Sequence, residues 1–414
     1  MRLVVLLAST SLLAACGGGA ETISSTPPPV SGGSGTTNTE HTFANPTEAK
    51  SYSGIGANQV FTYTTDTRLC CNQQAEIYSG NASTVRKSNI TLDYDPRDAI
   101  FLLRVNDPLT GSSVQTRFQD PASRTDFGGN LEPQWGTPRL DNPNVAYLQA
   151  GDGDPRSAYG SSGTGLINPG DNDTPASGTP GSSYQATTLF YLRPGTETEY
   201  VTYAGYARNA LSFSQRTEND LDPDTGETVS NTVEVVSWAL DRGAFAFGEL
   251  SPVDNVPTTG TASYSGSMLA TMIVNPTIDD INLPNYFQWV EGTSSMSVDF
   301  AASTLALNID GTVDAPQIDT YTGPAATVIA EGATFSAAGR GDINFVQFGG
   351  FKGFFDSARF VNPDGSSYTV NIAGSSIDGG FYGPNGEEVG GGFRVVGGNP
   401  DERVDIMGAF VGKK

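Results

Sequence analysis

The sequence predicts an all-β protein in two parts, a β domain followed by an eight-stranded antiparallel β-barrel. Three observations support this class. The 414 residues include 50 glycines and 25 prolines, which allow many turns. Phenylalanine and tyrosine are frequent, and both are favoured in strands. Apolar and polar residues alternate over short runs, and no segment keeps a helical repeat long enough to predict a helix.

Residues 1–16 are predicted to be a lipoprotein signal peptide. Arg2 supplies a positive charge, and residues 3–13 form an apolar segment too short to span a bilayer as a helix. Residues 13–16 read LAAC, a lipobox whose Cys16 thiol would carry the lipid, and three glycines follow. Since no aspartate follows Cys16, we expect an outer-membrane anchor. The alternative is an ordinary secretory peptide that contains a cysteine.

Residues 17–45 are rich in Gly, Ser, Thr and Pro. Such a segment buries too little apolar surface to order itself, so we predict a disordered tether. His41, the single histidine of the chain, lies in it.

Residues 46–255 are predicted to form the first β domain. Strand patterns cover residues 60–64, 90–94, 100–105, 112–118, 187–192, 200–206, 210–215, 229–240 and 243–247. Residues 152–183 consist mainly of Gly, Ser, Pro and Asp. A connection of that length is either functional or disordered, and we favour disorder.

Residues 256–414 are predicted to form the barrel. Strand patterns cover residues 261–274, 298–300, 305–309, 327–336, 351–361, 367–381, 390–396 and 404–411. Asn385 and Gly386 form the dipeptide that a type I′ hairpin turn prefers. Eight strands close a barrel that its own side chains fill, so a ligand would bind the loops.

The composition argues against several functions. The net charge of −23 disfavours nucleic acid and anionic lipid surfaces as partners. With His41 in the tether, a Ser-His-Asp triad, a multi-histidine zinc site and a histidine base are all excluded. We therefore expect no enzyme, no metal site and no resident cofactor. Residues 222–227 weakly resemble a calcium loop, and a plain turn is the preferred interpretation.

Cys70 and Cys71 are adjacent in a chain predicted to enter an oxidising compartment. Three interpretations stay open: a vicinal disulfide, two free thiols, or thiols that pair with another chain. We favour the disulfide.

Aromatic residues cluster in the predicted connection between the first two barrel strands, residues 275–292. Tyr286, Phe287 and Trp289 are candidate ligand-binding residues, because aromatic side chains often dominate binding energy. If haem were the ligand, Tyr286 would be the preferred axial residue. The competing and favoured interpretation is that these rings cap the barrel mouth.

Two motifs carry a resemblance to a known family. Residues 381–393 contain F-Y-G-P-x-x-x-E-x-G-G-x-F, and residues 408–413 read G-x-F-x-G-K. Residues 257–266, PTTGTASYSG, are similar to a first barrel strand. Together they resemble the β-barrel domain of transferrin-binding protein B, a family of Gram-negative surface lipoproteins. The matching residues are Phe381, Tyr382, Gly383, Pro384, Glu388, Gly390, Gly391, Phe393, Gly408, Phe410, Gly412 and Lys413.

This resemblance implies that residues 46–255 form a handle-like domain beside the barrel. It also implies a lipid-anchored protein of the outer membrane that faces the cell exterior and binds an iron-carrier protein or haem. Such proteins act as co-receptors of TonB-dependent outer-membrane receptors, and some need a translocon for surface lipoproteins. The alternative is an adhesin or host-factor binder on the same barrel. No transferrin-contacting residue is carried over, because no matching motif is found.

Overall fold

A computed structural model describes residues 44, 46–66, 81–96, 100–106, 113–119, 142–152, 180–181, 183–275, 286–315, 328–347, 349–398 and 402–414. Cys16, His41, Cys70 and Cys71 lie outside these ranges, as does most of the predicted loop 152–183. The described residues contain no helix with the length and apolar character needed to cross a membrane. They fold into two antiparallel sheets.

The first sheet has eight strands in the order β4-β3-β2-β1-β8-β7-β6-β5. The strands are β1 (Lys50–Asp66), β2 (Asn81–Asp95), β3 (Ile100–Asn106), β4 (Ser113–Gln119), β5 (Val145–Asp152), β6 (Ser183–Leu192), β7 (Val201–Leu221) and β8 (Thr228–Gly248). The sequence prediction missed β5. It also divided β7 and β8 into two segments each, because charged residues interrupt their apolar alternation.

This sheet curls towards a half-barrel. Its outer strands β4 and β5 approach each other, with Cα pairs within 8 Å. The inner face carries large apolar side chains that are almost fully buried, among them Leu92, Phe101, Leu189 and Phe245. The curl therefore encloses a core of its own.

The second sheet is a closed barrel. Its strands are β9 (Thr261–Asn275), β10 (Tyr286–Asp299), β11 (Thr304–Val313), β12 (Thr334–Asn344), β13 (Gly350–Val361), the short β14 (Ser367–Thr369), β15 (Ile372–Tyr382), β16 (Glu388–Gly397) and β17 (Arg403–Lys413). The sheet order ends with β12 at one side, and β12 also pairs with β13, which closes the ring. With β14 as a side pairing on β13, eight strands form the wall. The predicted all-β class with an eight-stranded antiparallel barrel is confirmed.

Side chains fill the barrel. Phe381 lies at the centre of an aromatic cluster inside it. Its ring centroid is 5.6 Å from those of Phe300 and Phe351, 6.0 Å from Phe345 and 6.2 Å from Tyr264. All of these rings except Phe345 are buried. The phenylalanine of the F-Y-G-P motif thus packs the interior where the turn between β15 and β16 begins.

The prediction of a type I′ turn at Asn385 and Gly386 is wrong. Residues 383–387 form a five-residue connection in which Gly383 and Gly386 have φ of 89° and 72°, while Asn385 does not have positive φ. The Glu387 carboxylate accepts hydrogen bonds from the Asn385 backbone N–H at 2.7 Å and from its side-chain amide at 2.8 Å. These bonds hold a wider loop than the dipeptide alone indicates.

The connection between β7 and β8 is a plain turn, as preferred from the sequence. The Asp222 carboxylate accepts hydrogen bonds from the backbone N–H groups of Asp224 and Thr225, and Gly226 adopts φ of 71°. These bonds hold the pKa of Asp222 below its ordinary value. Within the described ranges, no three His, Cys, Asp or Glu side chains come together as a metal site requires.

Candidate functional site

The two sheets meet along a junction formed mainly by β1, β7 and β8 on one side and by β16 and β17 on the other. Glycines of β16 allow this close approach. A Cβ atom on Gly392 would lie 2.4 Å from the Cα of Gly56, and one on Gly390 would lie 2.6 Å from a Val201 methyl carbon. Gly392 thus allows backbone contact between the two sheets, and Gly390 leaves room for the Val201 side chain.

Glu388, at the start of β16, connects the barrel to the backbone at the start of β7. Its carboxylate accepts hydrogen bonds from the backbone N–H groups of Glu199, Tyr200 and Val201 at 2.7, 2.8 and 3.1 Å. The residue is 4% exposed. Burial raises the pKa of Glu388 above its ordinary value, and the three N–H groups act in the opposite direction. The glutamate of the sequence motif, Glu388, therefore joins the barrel to the first sheet through hydrogen bonds.

A second connection is centred on Arg242 of β8, which is fully buried. Its guanidinium donates to the Asp405 carboxylate at 3.0 Å, to the Thr271 carbonyl at 2.9 Å and to Gln59 at 2.8 Å. Gln59 donates in turn to Asp405 at 2.7 Å, and Arg394 donates to Asp405 at 2.7 and 3.2 Å. One residue from each of β1, β8, β9, β16 and β17 therefore shares a single buried network.

The charges of Arg242 and Asp405 persist at neutral pH. Burial lowers the pKa of Arg242 to about 10, and the neighbouring Asp405 opposes that effect. Burial disfavours the ionised form of Asp405, but Arg242 and Arg394 outweigh it and hold the pKa of Asp405 below its ordinary value. The sequence prediction did not include this network. Its one signal was the charged pair at positions 241 and 242 inside the otherwise apolar residues 238–247.

Hydrogen bonds also hold residues 249–260, the segment between the two sheets, against the barrel. Ser251 donates through its hydroxyl to the Gly383 carbonyl at 2.6 Å and accepts from the Gly386 N–H at 3.1 Å. The Tyr264 hydroxyl donates to the Gly386 carbonyl at 2.8 Å. A short 3₁₀ helix, Val253–Asn255, follows, and Asn255 donates to the Pro384 carbonyl at 3.0 Å. The F-Y-G-P loop therefore binds the interdomain segment.

Two of the three aromatic candidates, Phe287 and Trp289, occupy this junction. The predicted loop position for residues 286–289 is wrong, because β10 begins at Tyr286 and pairs with β9 from there. Phe287 and Trp289 are 3% and 2% exposed, and the Trp289 ring meets the Phe190 ring of the first sheet edge to face, 4.8 Å between centroids. The two rings pack between the sheets instead of capping the barrel mouth. The side chain of Tyr286 is outside the description.

β7 and β8 project beyond this junction. Arg242 of β8 contacts Asp405 near the start of β17. From Arg242 back to its first residue, Thr228, β8 extends roughly 45 Å at about 3.3 Å per residue. We call residues 214–234 the distal ribbon. The pairing of β6 with β7 ends at Ser212, and that of β1 with β8 ends at Val235. Most side chains of the distal ribbon are exposed.

The fold and the junction define an all-β protein in which a curled sheet is bonded to a filled barrel. Residues 256–414 match the family described as the C-lobe and N-lobe β-barrels of transferrin-binding protein B. The match covers less than half of the chain. The second sheet is therefore a transferrin-binding protein B-like barrel, as the sequence motifs indicated.

Solved structures give weaker similarity. Two mutant crystal structures of the vaccine antigen transferrin binding protein B from Haemophilus parasuis Hp5 align at 13% and 14% identity, with TM-scores of 0.28 and 0.27. They cover 89% and 88% of this chain and 77% and 76% of theirs. A crystal structure described as a surface lipoprotein aligns over 48% of this chain and 75% of its own, at 14% identity and a TM-score of 0.19. No curated protein matches the chain.

Proposed function

We propose that this chain is a surface lipoprotein of the outer membrane that binds an iron-carrier protein or haem as a co-receptor for TonB-dependent uptake. The observation that carries the proposal is the match of residues 256–414 to the transferrin-binding protein B barrel family. The junction motif supports it, because Glu388, Gly390 and Phe381 each have a defined contact in the fold. The role is binding, and no enzymatic activity is proposed.

Of the two ligands, an iron-carrier protein fits the described residues better. The barrel interior is occupied by packed side chains such as Leu307, Phe335 and Phe393, so it leaves no room for a porphyrin between them. Phe287 and Trp289 are enclosed by the junction and cannot stack on a ligand without separating the sheets. A protein partner, by contrast, can bind the exposed outer surfaces.

The test is capture from host fluid and from spent medium, combined with a haem titration of the purified protein. We expect an iron-carrying protein to be retained and the haem Soret band to show no saturable change. A saturable Soret change without a captured protein would replace the carrier with haem. If neither ligand binds, the uptake proposal is wrong.

The proposed surface location depends on lipidation of Cys16. The protein's partners there would be a TonB-dependent receptor and a translocon for surface lipoproteins. We expect Cys16→Ser to abolish incorporation of labelled fatty acid and to release the protein from the membrane fraction, because the thiol is the acylated group. Ser9→Ala, in the same signal segment, is the matched control and should leave both unchanged. Continued labelling of the Cys16→Ser protein would contradict the anchor.

A second candidate is a surface interaction protein, an adhesin or host-factor binder, without a transport role. The distal ribbon favours it, since most of its described side chains are exposed and available for contact with a protein partner. The capture experiment separates the two functions. A retained partner that carries no iron, from cells without a cotranscribed TonB-dependent receptor, would favour this candidate.

A further inference from the structure

Several turns of the barrel lie together at one of its ends. The first residue of β9 lies opposite the last residue of β10, so the segment 249–260 meets the β10–β11 turn. The Ile343 N–H donates to the Ser303 carbonyl at 2.9 Å, which joins that turn to the end of β12. The Phe345 ring, in the β12–β13 turn, has its centroid 6.0 Å from that of Phe381, just before the β15–β16 turn. All four connections therefore lie at the same end of the barrel.

The chain that leads back to Cys16 joins the fold at this end. The Ala44 N–H donates to the Glu199 carbonyl at 2.8 Å. The Glu199 N–H in turn donates at 2.7 Å to Glu388, the first residue of β16. We call this the anchor end. It comprises the segment 249–260 and the turns that follow β10, β12 and β15.

The length of the predicted tether decides which end of the protein stays near a bilayer. Residues 17–43 separate Cys16 from Ala44, and a flexible coil of that length has a root-mean-square span of roughly 30 Å. β7 begins beside Glu199 and extends from Val201 to Leu221, roughly 65 Å at about 3.3 Å per residue. A lipid on Cys16 would therefore hold the anchor end near the bilayer, while the β7–β8 turn lies beyond the usual span of the tether.

Large apolar side chains are exposed at the anchor end. Leu250 and Val253, in the segment 249–260, are 44% and 54% exposed, and Val346, in the β12–β13 turn, is 98% exposed. Exposed apolar groups at one end of a protein are suited to the boundary between lipid headgroups and acyl chains. Carboxylates such as that of Asp254 also lie here, so apolar burial would supply the contact and charge attraction would not.

We propose that the anchor end rests on the bilayer that holds the Cys16 lipid, with Leu250, Val253 and Val346 in contact with the headgroup boundary. The occupant of this surface is a lipid bilayer, because the tether joins the fold at the same end. The inference rests on the lipid anchor of the proposed function. It also leaves the β7–β8 turn directed away from the bilayer, where a protein partner can reach it.

The experiment uses the full lipidated chain in phosphatidylcholine vesicles with brominated acyl chains. Bromine quenches tryptophan fluorescence only at short distance, so it reports residues that touch the bilayer. Val253→Trp and Val346→Trp each place a reporter at the anchor end. Leu221→Trp is the matched control at the end of β7, where the native side chain is 72% exposed. The unchanged chain supplies the background from its own three tryptophans.

We expect brominated lipid to reduce the emission added by Val253→Trp and by Val346→Trp at least twofold. The emission added by Leu221→Trp should fall by less than a tenth. Equal quenching of all three reporters, or quenching of Leu221→Trp alone, would overturn the proposal. The absence of quenching at both anchor-end positions would overturn it as well.

A second comparison separates apolar contact from closeness imposed by the tether alone. In the chain that carries Val346→Trp, the pair Leu250→Glu and Val253→Glu should lower the quenching at least twofold. The matched control pair, Leu221→Glu and Val229→Glu, changes side chains that are 72% and 42% exposed and should leave the quenching unchanged. Equal quenching in the two double variants would refute the apolar contact.

Failure of this proposal is distinguishable from failure of the proposed function. A chain that floats with the vesicles through Cys16, but shows no quenching at the anchor end, would lose only the bilayer contact. A chain that neither incorporates labelled fatty acid nor floats with the vesicles would lose the lipid anchor and this contact together.

Discussion

Replacing Arg242 by methionine tests whether the buried network holds the two sheets together. Methionine keeps most of the volume of the arginine stem but removes all of its donors. Asp405, at 3% side-chain exposure, would keep Arg394 and the Gln59 amide as partners. The Gln59 side-chain oxygen and the Thr271 carbonyl would lose the hydrogen bonds that Arg242 donates. The removal of one member of a buried ion pair costs about 3–5 kcal/mol.

Because Arg394 continues to neutralise Asp405, we expect a cost near the lower end, about 3 kcal/mol. The measurement is the free energy of unfolding in urea, followed by far-ultraviolet circular dichroism and by tryptophan fluorescence. Since Trp289 lies in the junction, its emission should change before the barrel unfolds if the sheets separate first.

The matched control is Arg340→Met. Arg340 forms an ion pair with Asp356 at 3.2 Å, but its side chain is 67% exposed. Exposed pairs contribute at most about 1 kcal/mol, so the same substitution should cost far less there. Equal losses of stability for Arg242→Met and Arg340→Met would refute the reasoning that burial and network membership decide the cost.

Three further outcomes are expected. Gly392→Ala should destabilise the protein by about 1–3 kcal/mol because its Cβ would lie 2.4 Å from the Gly56 Cα, whereas Gly374→Ala, with no atom within 4 Å, should be nearly neutral in the same urea experiment. Glu388→Ala should cost about 2–4 kcal/mol and more than Glu388→Gln, since alanine leaves the three backbone N–H groups without the side-chain acceptor; equal thermal shifts would contradict this. The pKa of Asp405 is below its ordinary value of 3.8, so its ionised form stabilises the fold above the unfolded-state pKa, and this contribution is lost as pH falls through the lower folded-state pKa. An acid titration of Asp405→Asn should accordingly lose less stability below about pH 4 than the unchanged chain.

The sequence by itself determined the fold class and the barrel. Period-two alternation and frequent glycine are local properties, and they located all eight barrel strands at least in part. The F-Y-G-P and glycine motifs indicated a transferrin-binding protein B-like barrel, and Phe381, Glu388 and Gly390 each have a defined contact in the structure. A strand that is buried on one face keeps that pattern whatever its distant partners are.

Only the tertiary structure decided which surfaces are buried between the sheets. From the sequence, Phe287 and Trp289 were expected on a loop that caps the barrel mouth or binds a ligand, because an aromatic cluster looks the same whether it meets a ligand or another sheet. Arg242 and Asp405 are 163 positions apart, and nothing local in the sequence pairs them. Long-range contacts of this kind depend on how two sheets approach each other. That approach is set by glycine backbone contacts and by charge pairing across the junction, neither of which leaves a periodic signal.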